Sequence, residues 1–263
     1  MIYVYSSIMT MIPANLQAVH ARIVAACAAA GRDPSSVRLL AVSKTFEPEA
    51  VMEAAAAGQR MFGENYIQEG VEKLLAIRRW EFDGLRLSDP GHAFGLGAAR
   101  TGRLSSPTEW HCIGPVQSNK TRLVAENFDW VQSIDRLKIA QRLSQQRPPH
   151  LPPLQVCLQV NIDGGPTKSG VAPQDAQALA IEVARLPRLQ LRGFMSIPEP
   201  ATDFIAACAI HERAASLFYQ INSAGVLPLA MDTLSTGMTA DLEAAIHAGS
   251  TLVRIGTAIF GER

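Results

Sequence analysis

The residues with the most chemical potential in this chain are a lysine, an arginine and two loops of small residues. Lys44 closes the apolar run 38–44, RLLAVSK. A lysine at a strand end keeps its stem inside and presents its amine at the C-terminal end of the sheet. Partial desolvation there lowers its pKa and makes it a Schiff-base nucleophile; the plainer alternative is an ammonium that snorkels to solvent. Arg254 sits among Leu252, Val253, Ile255 and Gly256. A guanidinium cannot shed its proton to make burial cheaper, so it needs a partner. That partner is either a structural carboxylate or an acceptor on a ligand, such as a ring nitrogen or an anionic oxygen.

The loops Ser235-Thr236-Gly237 and Gly256-Thr257 have the small side chains that let backbone N–H groups and hydroxyls reach a phosphate. Thr239 competes as a simple cap for the helix DLEAAIHA, whose Asp241 and Glu243 suit a helix start but repel an anion. The phosphate is therefore expected between the two loops. Asn65 ends a second strand run, although Asn65-x-x-Gln68 also has capping-box spacing. His111, beside Cys112 on a third run, reads as a satisfied core histidine. Lysine, phosphate cradle and buried arginine together describe a site for a phosphorylated aldehyde, and pyridoxal 5'-phosphate (PLP) fits all three.

These residues must be positioned by strands. Eight runs qualify, at 38–44, 61–65, 109–114, 130–135, 154–162, 189–197, 231–235 and 252–260. Several are apolar on both parities, as in strands covered on both faces. Ala-rich helical patterns separate them, one of them at 15–30 before the first strand and others opened by Pro48 and Pro173. The alternation predicts an α/β fold, a single (β/α)8 TIM-type barrel, whose loops after strands seven and eight commonly form a phosphate site. A dinucleotide fold is disfavoured, since Ser43-Lys44-Thr45 stands where a glycine fingerprint would follow the first strand. Residues 1–14 read as a loose tail, with Met9 or Met11 as alternative starts, and 15–263 as one domain. The stretch 81–108, rich in glycine and proline and without period, reads as a flexible insertion at the barrel's N-terminal face.

Composition narrows the function classes. Lys plus Arg (24) balances Asp plus Glu (24), which leaves no electrostatic footprint for nucleic acid or an anionic membrane. The four cysteines lack metal or disulfide spacing and read as reduced core thiols of a cytoplasmic protein. No apolar run reaches membrane-spanning length, and no zinc-hydrolase or serine-hydrolase motif is present.

The runs AVSKT (41–45), FGENYIQEG (62–70), WHCIGPVQSNK (110–120), TKSGV (167–171), LRGFMSIP (191–198), LSTGMTADLEAAIHAGST (234–251) and VRIGTAIFG (253–261) resemble the PLP homeostasis protein family, also called the alanine-racemase-like N-terminal domain family. The resemblance covers the chain from about Leu16 onward, interrupted by the glycine-rich insertion. It implies a monomeric barrel of the alanine-racemase, type III PLP kind without the C-terminal β domain, and PLP held as a Schiff base on Lys44. It also implies that Ser235, Gly256 and Thr257 hold the phosphate, with Gly237 in the same cradle, that Arg254 faces the pyridine nitrogen and that Asn65 lines the site. The family serves vitamin B6 and amino-acid homeostasis without an established catalytic activity, which makes PLP-dependent apoenzymes the expected transient partners. Phe46 departs from the pattern, because some members carry a second lysine there. Two rivals use the same lysine: a PLP-dependent racemase or decarboxylase, and a cofactor-free Schiff-base aldolase. A racemase would continue into a β domain that supplies an acid/base tyrosine, whereas this chain ends three residues after the last expected strand, and only Tyr66 lies near a strand's C-terminal end.

Overall fold

Eight short runs become eight parallel strands, each paired with the next and the last with the first. The computed structural model describes residues 11–87, 107–165 and 169–262. The chain enters through helix α1 (Met11–Ala29) and then runs β1 (Arg38–Val42), α2 (Pro48–Ala56), β2 (Met61–Glu64), α3 (Ile67–Leu87), β3 (Glu109–Cys112), α4 (Thr121–Asn127) and β4 (Trp130–Ile134). It continues through α5 (Leu137–Gln146), β5 (Leu154–Gln159), α6 (Pro173–Ala184), β6 (Leu189–Met195), α7 (Phe204–Ser223), β7 (Thr233–Ser235), α8 (Leu242–His247), β8 (Leu252–Ile255) and α9 (Thr257–Phe260). The strand order β1 to β8 closes a barrel, with Leu40 opposite Arg254 and Ala41 opposite Ile255 where β1 meets β8. The expected (β/α)8 architecture is the one observed.

Strand alternation divides the buried residues. Leu39, Ala41, Phe62, Trp110, Val131, Leu158, Val253 and Ile255 belong to one large cluster with the helices. Leu40, Val42, Ile113 and Leu252 form a separate small cluster, as do Trp130, Cys157 and Met195, on the opposite parity inside the barrel. Near its lower end Trp130 is stacked on His111 at 5.0 Å and flanked by the guanidinium groups of Arg38 and Arg192 at 5.4 and 5.0 Å. Such cation–π contacts plug the barrel with aromatic surface while keeping both charges near solvent. Outside, α1 buries Ile12, Leu16, Val19 and Ile23, a helical spacing in which each side chain contributes roughly 1.5–3 kcal/mol. Asn15 Nδ2 donates to Ile259 O at 2.9 Å, so α1 also holds the turn that follows β8.

Several boundaries differ from expectation for local reasons. The apolar run 252–260 is not one strand: Gly256 leaves the extended conformation, and the N–H groups of Ile259 and Phe260 return to Gly256 O at 2.9 and 3.0 Å, making the second half a helical turn. β5 stops at Gln159, beyond which Val160 makes a single bridge to Val171. The first helix begins at Met11 and buries Ile12, so residues 11–14 of the expected tail are helical; residues 1–10 lie outside the described residues. Residues 81–87 of the expected insertion extend α3. Glu81 Oε1 accepts from Thr108 N at 2.9 Å and Trp110 Nε1 donates to Thr108 Oγ1 at 3.0 Å, so both ends of that stretch are tied to the fold. The rest of it, 88–106, lies outside the described residues. Among the described residues no helix is long and apolar enough to cross a membrane. The four cysteines are free and buried; burial pushes the thiols of Cys112 and Cys157 up to about 12, as expected of packing residues.

Candidate functional site

β1 ends at Val42, two residues before Lys44, which lies in a turn and is exposed. This corrects the expectation of a desolvated amine: its stem is not enclosed by the strand. What the structure encloses is the backbone on either side. Ser43 Oγ donates to Glu64 Oε1 at 2.7 Å, Lys73 Nζ donates to Ser43 O at 2.7 Å, and Thr45 N donates to Glu69 Oε1 at 2.6 Å. Lys73 and Glu64 form an ion pair at 2.8 Å with side chains only 3% and 0% exposed. Thr45 adopts φ 69°, a left-handed conformation that costs a branched residue energy and persists only when its surroundings impose it. Burial raises the pKa of Glu64, and Lys73 and Ser43 pull it back only in part. Nothing in the sequence marks Lys73 or Glu69 for this role, because apart from their mutual contact along α3 their partners Ser43, Thr45 and Glu64 lie on other elements.

The loop after β1 adjoins the turn after β8. Phe46 packs on Phe260 with ring centroids 5.1 Å apart, which gives this departure from the family pattern a packing role. A Cβ on Gly256 would come within 3.3 Å of Val42 O, so glycine permits the close approach of the two strand ends. Across that turn Thr257 Oγ1 lies 3.4 Å from Thr239 Oγ1, both facing solvent. Thr239, two residues past the expected 235–237 loop, thus lies beside Thr257 of the second expected loop. Gly237 turns the chain at φ 95°, and a Cβ there would clash with Ala245 Cβ. Thr239 is not the cap of α8; Asp241 occupies that position. The two nearby acids are engaged elsewhere, since Asp241 accepts from Met238 N at 2.6 Å and pairs with His211 at 2.9 Å, and Glu243 pairs with Arg22 at 2.9 Å.

Ser235 is the last residue of β7. It is fully buried, and its hydroxyl donates to Gln132 Oε1 at 2.7 Å while accepting from Arg254 NH1 at 2.8 Å. With its proton given to Gln132, this hydroxyl has no donor left for a phosphate in this arrangement. Arg254 is 3% exposed. Its NH1 also donates to Ser235 O at 2.7 Å, and its NH2 donates to Ser196 O at 2.8 Å. Among the described residues no carboxylate lies within ion-pairing distance of it, which decides against the structural-carboxylate alternative. Burial pulls its pKa down to about 10, opposed at longer range by Asp241.

Asn65 is half-buried just past β2. The capping box is not formed: Gln68 donates to Glu72 at 3.1 Å and accepts from Lys120 at 3.3 Å. Tyr66 beside it is 57% exposed. His111 stays inside the barrel, between Glu109 and Gln132 at 2.8 Å each. A cavity of about 460 Å³ lies to the side of this arrangement, against Thr45, Phe46, Glu69, Glu72 and Lys73. Its carboxylates make it a poor place for a phosphate. No cluster of His, Cys, Asp or Glu fit to hold a metal occurs among the described residues.

Comparison with known proteins agrees with this fold. The alanine racemase, N-terminal domain family matches residues 14–263. A pyridoxal phosphate homeostasis protein of Pseudomonas aeruginosa is 52% identical over 255 residues, covering 97% of each chain. Among solved structures, PipY of Synechococcus elongatus is 31% identical in two forms. The form without PLP superposes with TM-score 0.74 over 95% of this chain and 100% of PipY, and the form with PLP bound with TM-score 0.68 over 92% and 100%. Alanine racemase from Corynebacterium glutamicum shares the fold at TM-score 0.59 and 16% identity, with 97% of this chain matched to 61% of the racemase.

Proposed function

The chain belongs to the family of pyridoxal phosphate homeostasis proteins, built on the alanine racemase N-terminal domain, and from that premise we propose that it binds PLP reversibly at the C-terminal mouth of its barrel and acts in vitamin B6 homeostasis as a carrier rather than an enzyme. The observation that carries this reading is Arg254. A guanidinium 3% exposed, held by two carbonyls and a hydroxyl and with no carboxylate partner among the described residues, is a buried cation prepared for an acceptor that a ligand brings. The pyridine nitrogen of PLP is such an acceptor, and the phosphate falls to the loops on either side.

When bound, PLP supplies an aldehyde that condenses with a primary amine and a ring able to draw electrons from it. The rest is done by this chain. Lys44 offers an accessible amine on a turn whose two flanks are fixed by Glu64, Lys73 and Glu69. Thr239 and Thr257 offer hydroxyls to the phosphate beside the Gly256 turn and the Gly237 bend, and Asn65 borders the site from β2. Arg254 donates to the ring nitrogen and keeps its own proton, so the nitrogen stays unprotonated and the ring remains a weak electron sink. That property suits storage and hand-over of PLP better than turnover of amino acids. Four buried free cysteines support work in the reducing cytoplasm, where the chain, read as a monomer from its family resemblance, would meet PLP-dependent apoenzymes transiently.

Titration of the apoprotein with PLP tests the reading. A saturable visible absorption band distinct from that of free PLP, weakened in Arg254→Met, is expected. Absence of any band at saturating PLP would refute it, as would an aldolase activity that needs no PLP.

A further inference from the structure

Arg254 is one end of a chain of hydrogen bonds that runs through the barrel. Its NH1 donates to Ser235 Oγ at 2.8 Å, and Ser235 Oγ donates to Gln132 Oε1 at 2.7 Å. Gln132 Nε2 lies 2.8 Å from His111 Nδ1, and His111 Nε2 lies 2.8 Å from Glu109 Oε1. Ser235, Gln132 and His111 are each fully buried, whereas the Glu109 side chain is 39% exposed at the first residue of β3, on the face opposite the mouth.

The three central groups are ambivalent: a hydroxyl can rotate, an amide can flip and an imidazole can change tautomer. The two ends are not. A guanidinium only donates and a carboxylate only accepts, so a single arrangement satisfies every link. Glu109 takes the proton of His111 Nε2. Nδ1 then accepts from the Gln132 amide, whose oxygen takes the Ser235 proton and leaves a serine lone pair for Arg254. Burial holds His111 neutral against the pull of Glu109, as the chain requires, and stacking on Trp130 fixes the plane of its ring. A carboxylate beyond the plug of the barrel thus orients the buried cation at its mouth.

We propose that Glu109, His111, Gln132 and Ser235 are positioning residues that aim Arg254 as a directed donor, so that the site discriminates for ligands with an acceptor nitrogen in the ring. The inference rests on the PLP reading above and adds its selectivity. A hydrogen bond from a charged donor distinguishes a ligand that can accept it from one that cannot by about 10- to 100-fold.

The test compares the dissociation constants of PLP and of its analogue with CH in place of the ring nitrogen, on the full-length apoprotein. Wild type should prefer PLP by that factor. In His111→Phe, Gln132→Met and Ser235→Ala the preference should fall about threefold or more through weaker PLP binding, with the analogue's affinity nearly unchanged. Glu109→Ala, at the half-exposed end, should lower it in the same sense and keeps the test available if a buried variant does not fold. A ratio that all four variants retain would overturn the inference. Equal wild-type affinity for both ligands would overturn it while leaving PLP binding in place. A parallel loss of both ligands in Ser235→Ala would return that hydroxyl to the phosphate and overturn it as well. A wild type that binds neither ligand would remove the PLP reading and the inference together.

Discussion

Breaking the buried ion pair under the Lys44 turn should cost stability in a pH-dependent way. In Lys73→Met the Glu64 carboxylate stays fully enclosed, retains only the Ser43 hydroxyl as donor, and keeps an Oε2 that already lacks a hydrogen-bond partner. Removing one member of a buried pair costs about 3–5 kcal/mol, which for a chain of this size is a fall in Tm of roughly 6–20 °C. The sign with pH follows from linkage. Burial already holds the Glu64 pKa above its ordinary value, and loss of Lys73 raises it further. Between the unfolded value and that raised folded value the unfolded chain gives up its proton first, so rising pH favours unfolding and falling pH restores stability. Denaturant unfolding of wild type and variant should therefore differ most at pH 8 and least near pH 5. The double variant Lys73→Met/Glu64→Gln should recover most of the loss, because a neutral amide can still accept from Ser43. A deficit below about 1 kcal/mol at pH 8, or one independent of pH, would refute the claim that the pair is buried and charged. Since Ser43 and Thr45 flank Lys44, Lys73→Met should also loosen PLP.

Three other outcomes follow from the site. Thr257→Val and Thr239→Val each remove a hydroxyl donor to a dianion, and equilibrium dialysis should show PLP affinity reduced about 10- to 100-fold in each; unchanged affinity in both would move the phosphate elsewhere. Replacing residues 89–105 by a short linker, which spares the Glu81–Thr108 bond, should leave the PLP spectrum and Tm nearly intact, because the elements it joins, the end of α3 and the start of β3, lie at the face opposite the mouth; loss of PLP would show that it reaches the site. In deuterated solvent the PLP-loaded protein should exchange the α-hydrogen of alanine and other amino acids no faster than Lys44→Ala, whereas exchange well above that control and lost in Tyr66→Phe would make it an enzyme.

The barrel was readable because its strands are apolar on both parities and spaced by helices, a pattern that few other folds produce. The readable part ended where an apolar stretch has no internal mark of its conformation. Nothing in LVRIGTAIF separates a long strand from a short strand and a helical turn, since Gly256 permits either. Ser235 was assigned to the mouth because it stands in a loop-like run of small residues, yet strand pairing turns its hydroxyl inward. That orientation depends on Gln132 and Arg254, which are far away in sequence. The one available signal was polarity on the inner parity of otherwise buried strands, where His111, Gln132 and Ser235 all fall. Lys44 was legible as a residue but not as an exposed turn, because the groups that hold its neighbours lie across β2 and α3.

The central claim is that Lys44 is the lysine that carries PLP, and borohydride reduction of the PLP-loaded protein followed by peptide mapping tests it most directly. The account predicts one reduced pyridoxyl adduct, on Lys44, and a Lys44→Ala variant that remains folded but loses the visible band. An adduct found mainly on Lys73, Lys120 or another lysine, or a visible band that persists in Lys44→Ala, would contradict it.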